Sequence, residues 1–192
     1  VFITRNPFEF YKVFTLIFGF NISKKLSNLP EDLNALKAPV GQHGWGDFEE
    51  FIKFANISSD WIILRNFEYL PHNFFGNDKD IDILCSDKKE FAKNLNLSKR
   101  SWGISSYKTL ISGIEIPIDL RYVGDSYYDK LWESNILRNK SFYKNLIPVP
   151  SDLDYFFSLL YHSKLQKTKI KEKYIKLLNK LGLKLNLFSR EE

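Results

Sequence analysis

WIILRNFEYLPHNFFGNDKDIDILCS, residues Trp61 to Ser86, is the stretch that decides the fold. It opens on a continuous apolar run, Trp61–Leu64, short enough for a buried strand. After a polar loop come Asp80 and a second apolar run, Ile81–Cys85, so that Asp80 and Asp82 alternate with Ile81 and Ile83. Side chains two apart on a strand share a face. Ile81 and Ile83 are therefore expected in the core, and the two carboxylates on the opposite face in a shared space. Like charges that close repel unless a cation or a proton lies between them. A hard, oxygen-seeking ion such as Mg²⁺ suits that position, because it binds through one or two carboxylates plus substrate phosphates. The pattern thus points to metal-dependent phosphoryl or nucleotidyl transfer.

Outward from this stretch, Asp47–Ala55 (DFEEFIKFA) places Phe48, Phe51, Ile52 and Phe54 at helical spacing, with Asp47 as N-cap. Phe67–Leu70 reads as a helical turn before Pro71, and Lys88–Asn94 as a helix opened by Asp87. Ile104–Leu110 and Ile114–Tyr122 flank Ser112-Gly113, a turn dipeptide, and predict a hairpin. In the second of these strands Asp119 and Arg121 lie on the polar face. Pro117 argues for an edge strand, or for a position whose N–H the ladder does not need. Pro7 opens a helix over residues 7–20, and a short helix is expected over 31–36. Beyond Pro150 the chain is helical. Ser151 and Asp154 suggest a capping box, the first helix runs to about Gln166, and the second covers Lys171–Leu181 with Gly182 as its C-terminal cap.

The expected fold is α/β (α+β): a small mixed sheet carrying the carboxylates, with helices before it and a helical cap after it. The expected organisation is a helical segment over 1–56, a core over 57–150 and a helical segment over 151–192. At 192 residues, with 44% hydrophobic and 16% aromatic content, the chain can bury a substantial core. One cysteine, Cys85, excludes an internal disulfide and a Cys-rich zinc site, and reads as a small buried hydrophobe. The net charge of +5 is compatible with nucleotides, nucleic acid or anionic glycans without selecting among them. The apolar stretch Val13–Phe20 is too short to span a bilayer, and a cytoplasmic location is expected. The chain opens on Val1 and contains no methionine, so we expect an internal piece of a longer protein.

The order of elements (strand, loop, Asp-x-Asp strand, later strand with one Asp) resembles the nucleotidyltransferase superfamily typified by DNA polymerase β. The likeness covers residues 57–125. It implies that Asp80, Asp82 and Asp119 hold Mg²⁺ (or Mn²⁺), and that Asp119 helps deprotonate the acceptor. The donor would be a nucleoside triphosphate such as ATP, and the acceptor a sugar or glycan precursor, another small molecule, RNA or protein. Where the family carries Gly-Ser after the first strand, this chain has Arg65-Asn66, which become the nucleotide-binding candidates. The LRNFEYLP…DIDIL and DLRYVGDSYYDKLW segments are also similar to nucleotidyltransferase-like proteins of bacterial surface-polysaccharide loci and large viruses. The Arg65-Asn66 departure leaves a competing expectation, a degenerate fold that binds a ligand or partner without chemistry. The lysine-rich C-terminal helices give a third, nucleic-acid binding with strong salt dependence. His43, His72 and His162 are isolated, and each is expected to be structural. Tyr122, Tyr127, Tyr128 and Trp132 are expected to pack a loop and helix against the core.

Overall fold

The structure is a computed structural model that describes residues 41–70, 80–100, 105–167 and 170–187, all within the compact unit Pro39–Glu192. The helices expected over 7–20 and 31–36, and His72, lie outside these residues.

Three helix starts follow from side-chain oxygens that accept otherwise orphaned backbone N–H groups. Asp47 accepts from the Glu50 N–H at 2.8 Å and opens α1 (Phe48–Ser58). Asp87 accepts from Lys89 and Glu90 and opens α2 (Lys88–Asn94). Asp129 accepts from Leu131 and Trp132 and opens α3 (Lys130–Arg138). The apolar runs become β1 (Trp61–Ile63) and β2 (Ile81–Cys85), with a 3₁₀ turn over Phe67–Tyr69. Ser112 and Gly113, with φ of 52° and 74°, make the tight turn between β4 (Ser106–Ile111) and β5 (Ile114–Tyr122).

With the short β3 (Ser98–Lys99), these strands form one five-stranded mixed sheet in the order β1-β2-β5-β4-β3. Only β2 and β5 are parallel; the other neighbours are antiparallel. A separate two-stranded ribbon joins β6 (Ser141–Tyr143) to β7 (Ile147–Val149). α4 (Asp152–Tyr161) continues into a π-helical turn, His162–Gln166, and α5 (Glu172–Lys184) follows. The mixed α/β architecture agrees with the sequence reading.

One face of the sheet, with Ile63, Ile81, Ile83, Ile116, Ile118 and Leu120, packs into a single core with α1, α2, α4 and α5. The other face carries Ile62, Leu64 and Leu84, which pack against Tyr128, Ile136 and Leu137 of the loop and helix α3. The same alternation puts Asp82, Asp119 and Arg121 on this second face. No helix among the described residues is long and apolar enough to cross a membrane.

One sequence expectation is narrowed and one corrected. Of the two readings of Pro117, the edge strand is excluded, because β5 lies between β2 and β4, and a position whose N–H the ladder does not need is the one that holds. The Leu120 N–H donates toward β4 and the Val123 N–H toward β2, so odd residues of β5 face β2. Pairing with β2 begins only at Ile118, so the N–H that Pro117 lacks lies before the paired stretch. Gly182 is not a cap: α5 runs on to Lys184, with Gly182 buried inside it. Leu178, Leu181 and Leu185 continue one apolar stripe onto the core past the glycine, and burial of that stripe outweighs the glycine's weak helix propensity.

Candidate functional site

β1 returns antiparallel to β2, and the Leu64 N–H donates to the Asp82 carbonyl at 2.9 Å. That return carries Arg65 off the end of β1 beside the Asp82 side chain. β2 and β5 run parallel with Asp82 directly opposite Asp119. Asp80 lies exposed just before β2, near enough for its charge to act on the Asp82 carboxyl. The three aspartates singled out from sequence thus converge on one side of the sheet.

Their surroundings differ. Asp82 is 7% exposed, and a guanidinium grips both of its carboxylate oxygens. Arg65 Nε donates to Oδ2 at 3.1 Å, and Arg65 Nη2 donates to Oδ1. This is the two-point fork in which arginine matches a carboxylate. Arg65 is itself 5% exposed. Its third side donates from Nη1 to the Tyr127 hydroxyl at 2.9 Å. Tyr127 in turn donates to Gln166 Oε1 at 3.0 Å, and the same oxygen meets His162 Nδ1 at 2.9 Å. A chain of polar contacts therefore runs from the centre of the sheet to the C-terminal helices.

Burial pushes the Asp82 carboxyl up to about 6, against the pull of Arg65, and the charges of Asp80 and Asp119 add to the rise. For Arg65, burial alone would lower the pKa; Asp82 and Tyr127 outweigh it and hold the guanidinium above its ordinary value. An arginine keeps its proton throughout, so Asp82 faces a permanent positive charge.

Asp119 accepts from Arg121 Nη2 at 3.2 Å through Oδ2, while its Oδ1 is enclosed with no hydrogen-bond partner. Arg121 also lies 4.3 Å from the centre of the Tyr127 ring, a cation–π contact, and 3.9 Å from Asp125. Asp119 and Arg121, neighbours on the polar face of their strand, thus form an ion pair. Asn66 takes a left-handed conformation, φ 60°, and its Oδ1 accepts from Lys173 Nζ of α5 at 3.2 Å. Arg65 and Asn66, the nucleotide-binding candidates, are thus both engaged by protein groups.

The donor set bears directly on Mg²⁺. The unpartnered Oδ1 of Asp119 is a vacant acceptor of the right kind. Asp82, however, already accepts from a guanidinium through both carboxylate oxygens. Among the described residues no group of three His, Cys, Asp or Glu side chains is arranged to hold an ion. As arranged, these residues do not fit a divalent cation on Asp82: the guanidinium already stands where its charge would be.

Sequence reading missed several supporting residues. Gln166 and Lys173 join the site from 101 and 107 residues after Arg65 and Asn66 respectively, and no local pattern marks them. Glu133 left a usable signal, an acid three and four residues before Ile136 and Leu137 on the buried side of α3. It is fully buried, and its carboxylate accepts from the Gly124 N–H at 2.6 Å and the Tyr128 N–H at 3.0 Å, pinning the loop that carries Tyr127. Burial raises its pKa against those two bonds. Tyr128, Trp132 and Tyr161 stack around this loop as a packed aromatic cluster. His43 is exposed in the turn before α1, and Asp47 and Asp87 serve as caps. Cys85 is buried, and its thiol donates to the Arg121 carbonyl.

No protein-family model matches this chain, and no curated protein matches it. Among solved structures it is similar to JHP933 from Helicobacter pylori, with 8% identity, a TM-score of 0.42 and 69% of this chain covered. The chain spans 62% of the length of that protein. It is also similar to TM1012 of Thermotoga maritima, a candidate nucleotidyltransferase, with 18% identity and a TM-score of 0.41, covering 68% of this chain and 88% of that one. At such scores and identities neither likeness carries an activity to this chain.

Proposed function

We propose that this chain is of the nucleotidyltransferase kind, binding a nucleoside triphosphate over the second face of the sheet and passing a nucleoside monophosphate to a hydroxyl or phosphate acceptor. The acceptor would be a sugar or glycan precursor, another small molecule, RNA or protein. The observation that carries this reading is the register of β2 and β5, which sets Asp82 opposite Asp119 with Asp80 at the strand entrance. Carboxylates gathered this way suit a reaction that needs a positioned acceptor and controlled charge near a phosphate. In this role Asp119 would orient the acceptor hydroxyl and take its proton. Arg121 and Lys173 supply positive charge at the rim for phosphate oxygens. The chemistry of such enzymes ordinarily draws on Mg²⁺. Since the Arg65 guanidinium already holds both oxygens of Asp82, we assign the ion no step here.

One observation favours a second reading, a fold that binds its ligand without chemistry. It is the same Arg65–Asp82 pair, which neutralises the central carboxylate from within the protein. Calorimetric titration of ATP, CTP, GTP and UTP, each with Mg²⁺ and with EDTA, separates the two. The comparison variants are Asp80→Asn and Asp119→Asn, chosen because neither strands Arg65. Mg²⁺-dependent binding that weakens in both variants supports the transferase reading. Binding that ignores Mg²⁺ supports the second reading. Absence of binding to the folded protein by all four nucleotides refutes the nucleotide site.

A further inference from the structure

A guanidinium and a divalent cation compete for the same thing on a buried carboxylate, its two oxygens. On Asp82 the competition is already decided. Arg65 bonds both oxygens, and neither group has solvent to turn to, at 5% and 7% exposure. Three features keep the guanidinium there. Its charge cannot be shed. Its remaining edge is tied to Tyr127, whose hydroxyl is held by Gln166 and whose backbone N–H bonds Asp125 at 2.9 Å. Against the Tyr127 ring sits a second guanidinium, Arg121, which pairs with Asp119 through one of its oxygens. A dication approaching Asp82 would meet a fixed positive charge and two oxygens that already accept from it.

We propose that Arg65 is the resident counter-ion of Asp82 in place of a divalent cation, so that this carboxylate face takes up such an ion only when the guanidinium is removed or drawn away. The inference rests on the pair alone and not on nucleotidyl transfer, so it stands or falls without any nucleotide present. Removing Arg65 frees two oxygens of Asp82 beside the unpartnered Oδ1 of Asp119, which is the start of an oxygen-ligand site.

The test is Mn²⁺ binding to the full chain without nucleotide, read from the loss of the free-ion electron paramagnetic resonance signal. The proteins are wild type, Arg65→Gln and Arg65→Gln/Asp82→Asn. Arg65→Gln should bind Mn²⁺ more tightly than wild type by about tenfold or more, because a fixed like charge a few ångströms from the ion is removed. The added Asp82→Asn should abolish the gain. Equal affinity in wild type and Arg65→Gln overturns the proposal, as does a folded Arg65→Gln protein that gains nothing. Should Arg65→Gln fail to fold, ¹⁵N-arginine NMR of wild type decides. The Arg65 Nε–Hε signal should persist without shift or broadening when Mg²⁺ or Mn²⁺ is added. A site-specific shift or broadening of that signal would overturn the proposal.

Discussion

Replacing Asp82 by alanine removes both carboxylate acceptors from Arg65 and leaves the guanidinium, 5% exposed, with only the Tyr127 hydroxyl. Arginine cannot escape by losing its proton. Removing one partner of a buried pair typically costs about 3–5 kcal/mol, because an uncompensated charge is left inside. That is a large share of the roughly 5–15 kcal/mol that holds a domain folded. The opposite deletion, Arg65→Met, should be milder and should depend on pH. The Asp82 carboxyl already lies up at about 6 in the fold, against an ordinary 3.8, and loses the pull that opposed the rise. A folded value above the unfolded one gives stability that is complete below the unfolded value and is lost as pH rises through the folded one. Arg65→Met should therefore recover as the pH is lowered from 7 to 5, and Asp82→Ala should not. The double variant Arg65→Met/Asp82→Leu, which removes both charges and keeps volume, should lie near wild type or above it. Urea unfolding followed by circular dichroism, at both pH values and with a shared slope, measures all four proteins. An Asp82→Ala protein within about 1 kcal/mol of wild type, below the cost of one unsatisfied buried group, would refute the reasoning. So would a double variant as unstable as the sum of the singles.

Two further outcomes follow from the site's surroundings. Burial pushes the Cys85 thiol up to about 12 from an ordinary 9.0. Thiolate is the reacting form, so an aromatic disulfide reagent at pH 8 should modify the folded protein about a thousandfold more slowly than the urea-unfolded chain. The stability this thiol contributes is complete below pH 9 and falls away as the pH rises toward 12. Equal rates in the two states would exclude a buried thiol. Glu133→Ala strips the Gly124 and Tyr128 N–H groups of their acceptors. The expected loss is about 1–3 kcal/mol per group left unsatisfied, together with faster amide exchange over residues 124–128, which hydrogen-exchange mass spectrometry would report. Wild-type exchange in that loop would mean that Glu133 does not pin it.

Much of the architecture was legible because it is written in local spacing. The period-two alternation of Ile81–Cys85 and of Ile114–Tyr122 foretold both strands and their faces, and Ser112-Gly113 foretold the turn. Asp47, Asp87 and Ser151 stand where caps belong, though Asp154 does not complete a capping box: its Oδ2 accepts from the Ser151 hydroxyl and its Oδ1 from Trp132. Where the reading failed or left two answers open, a neighbour distant in sequence had decided the matter. Pro117 sits in the central β5 at a position whose N–H the ladder does not need, because pairing with β2 starts one residue beyond it. The helix passes through Gly182 because Leu178 and Leu181 before it are buried in the core and Leu185 after it packs against that core.

The candidate site divides along the same line. Alternation along one strand is a property of the chain itself, so the sequence alone put Asp80 and Asp82 on one face and Asp119 on the polar side of its strand. What neutralises those charges is a through-space question. It depends on the antiparallel return of β1 onto β2, which sets Arg65 beside Asp82, and on a loop and a helical turn that deliver Tyr127 and Gln166. Those partners are separated by 17, 62 and 39 residues along the chain. Only the folded structure brings them within hydrogen-bond range, and it sets a guanidinium on Asp82 where the sequence had suggested a metal ion.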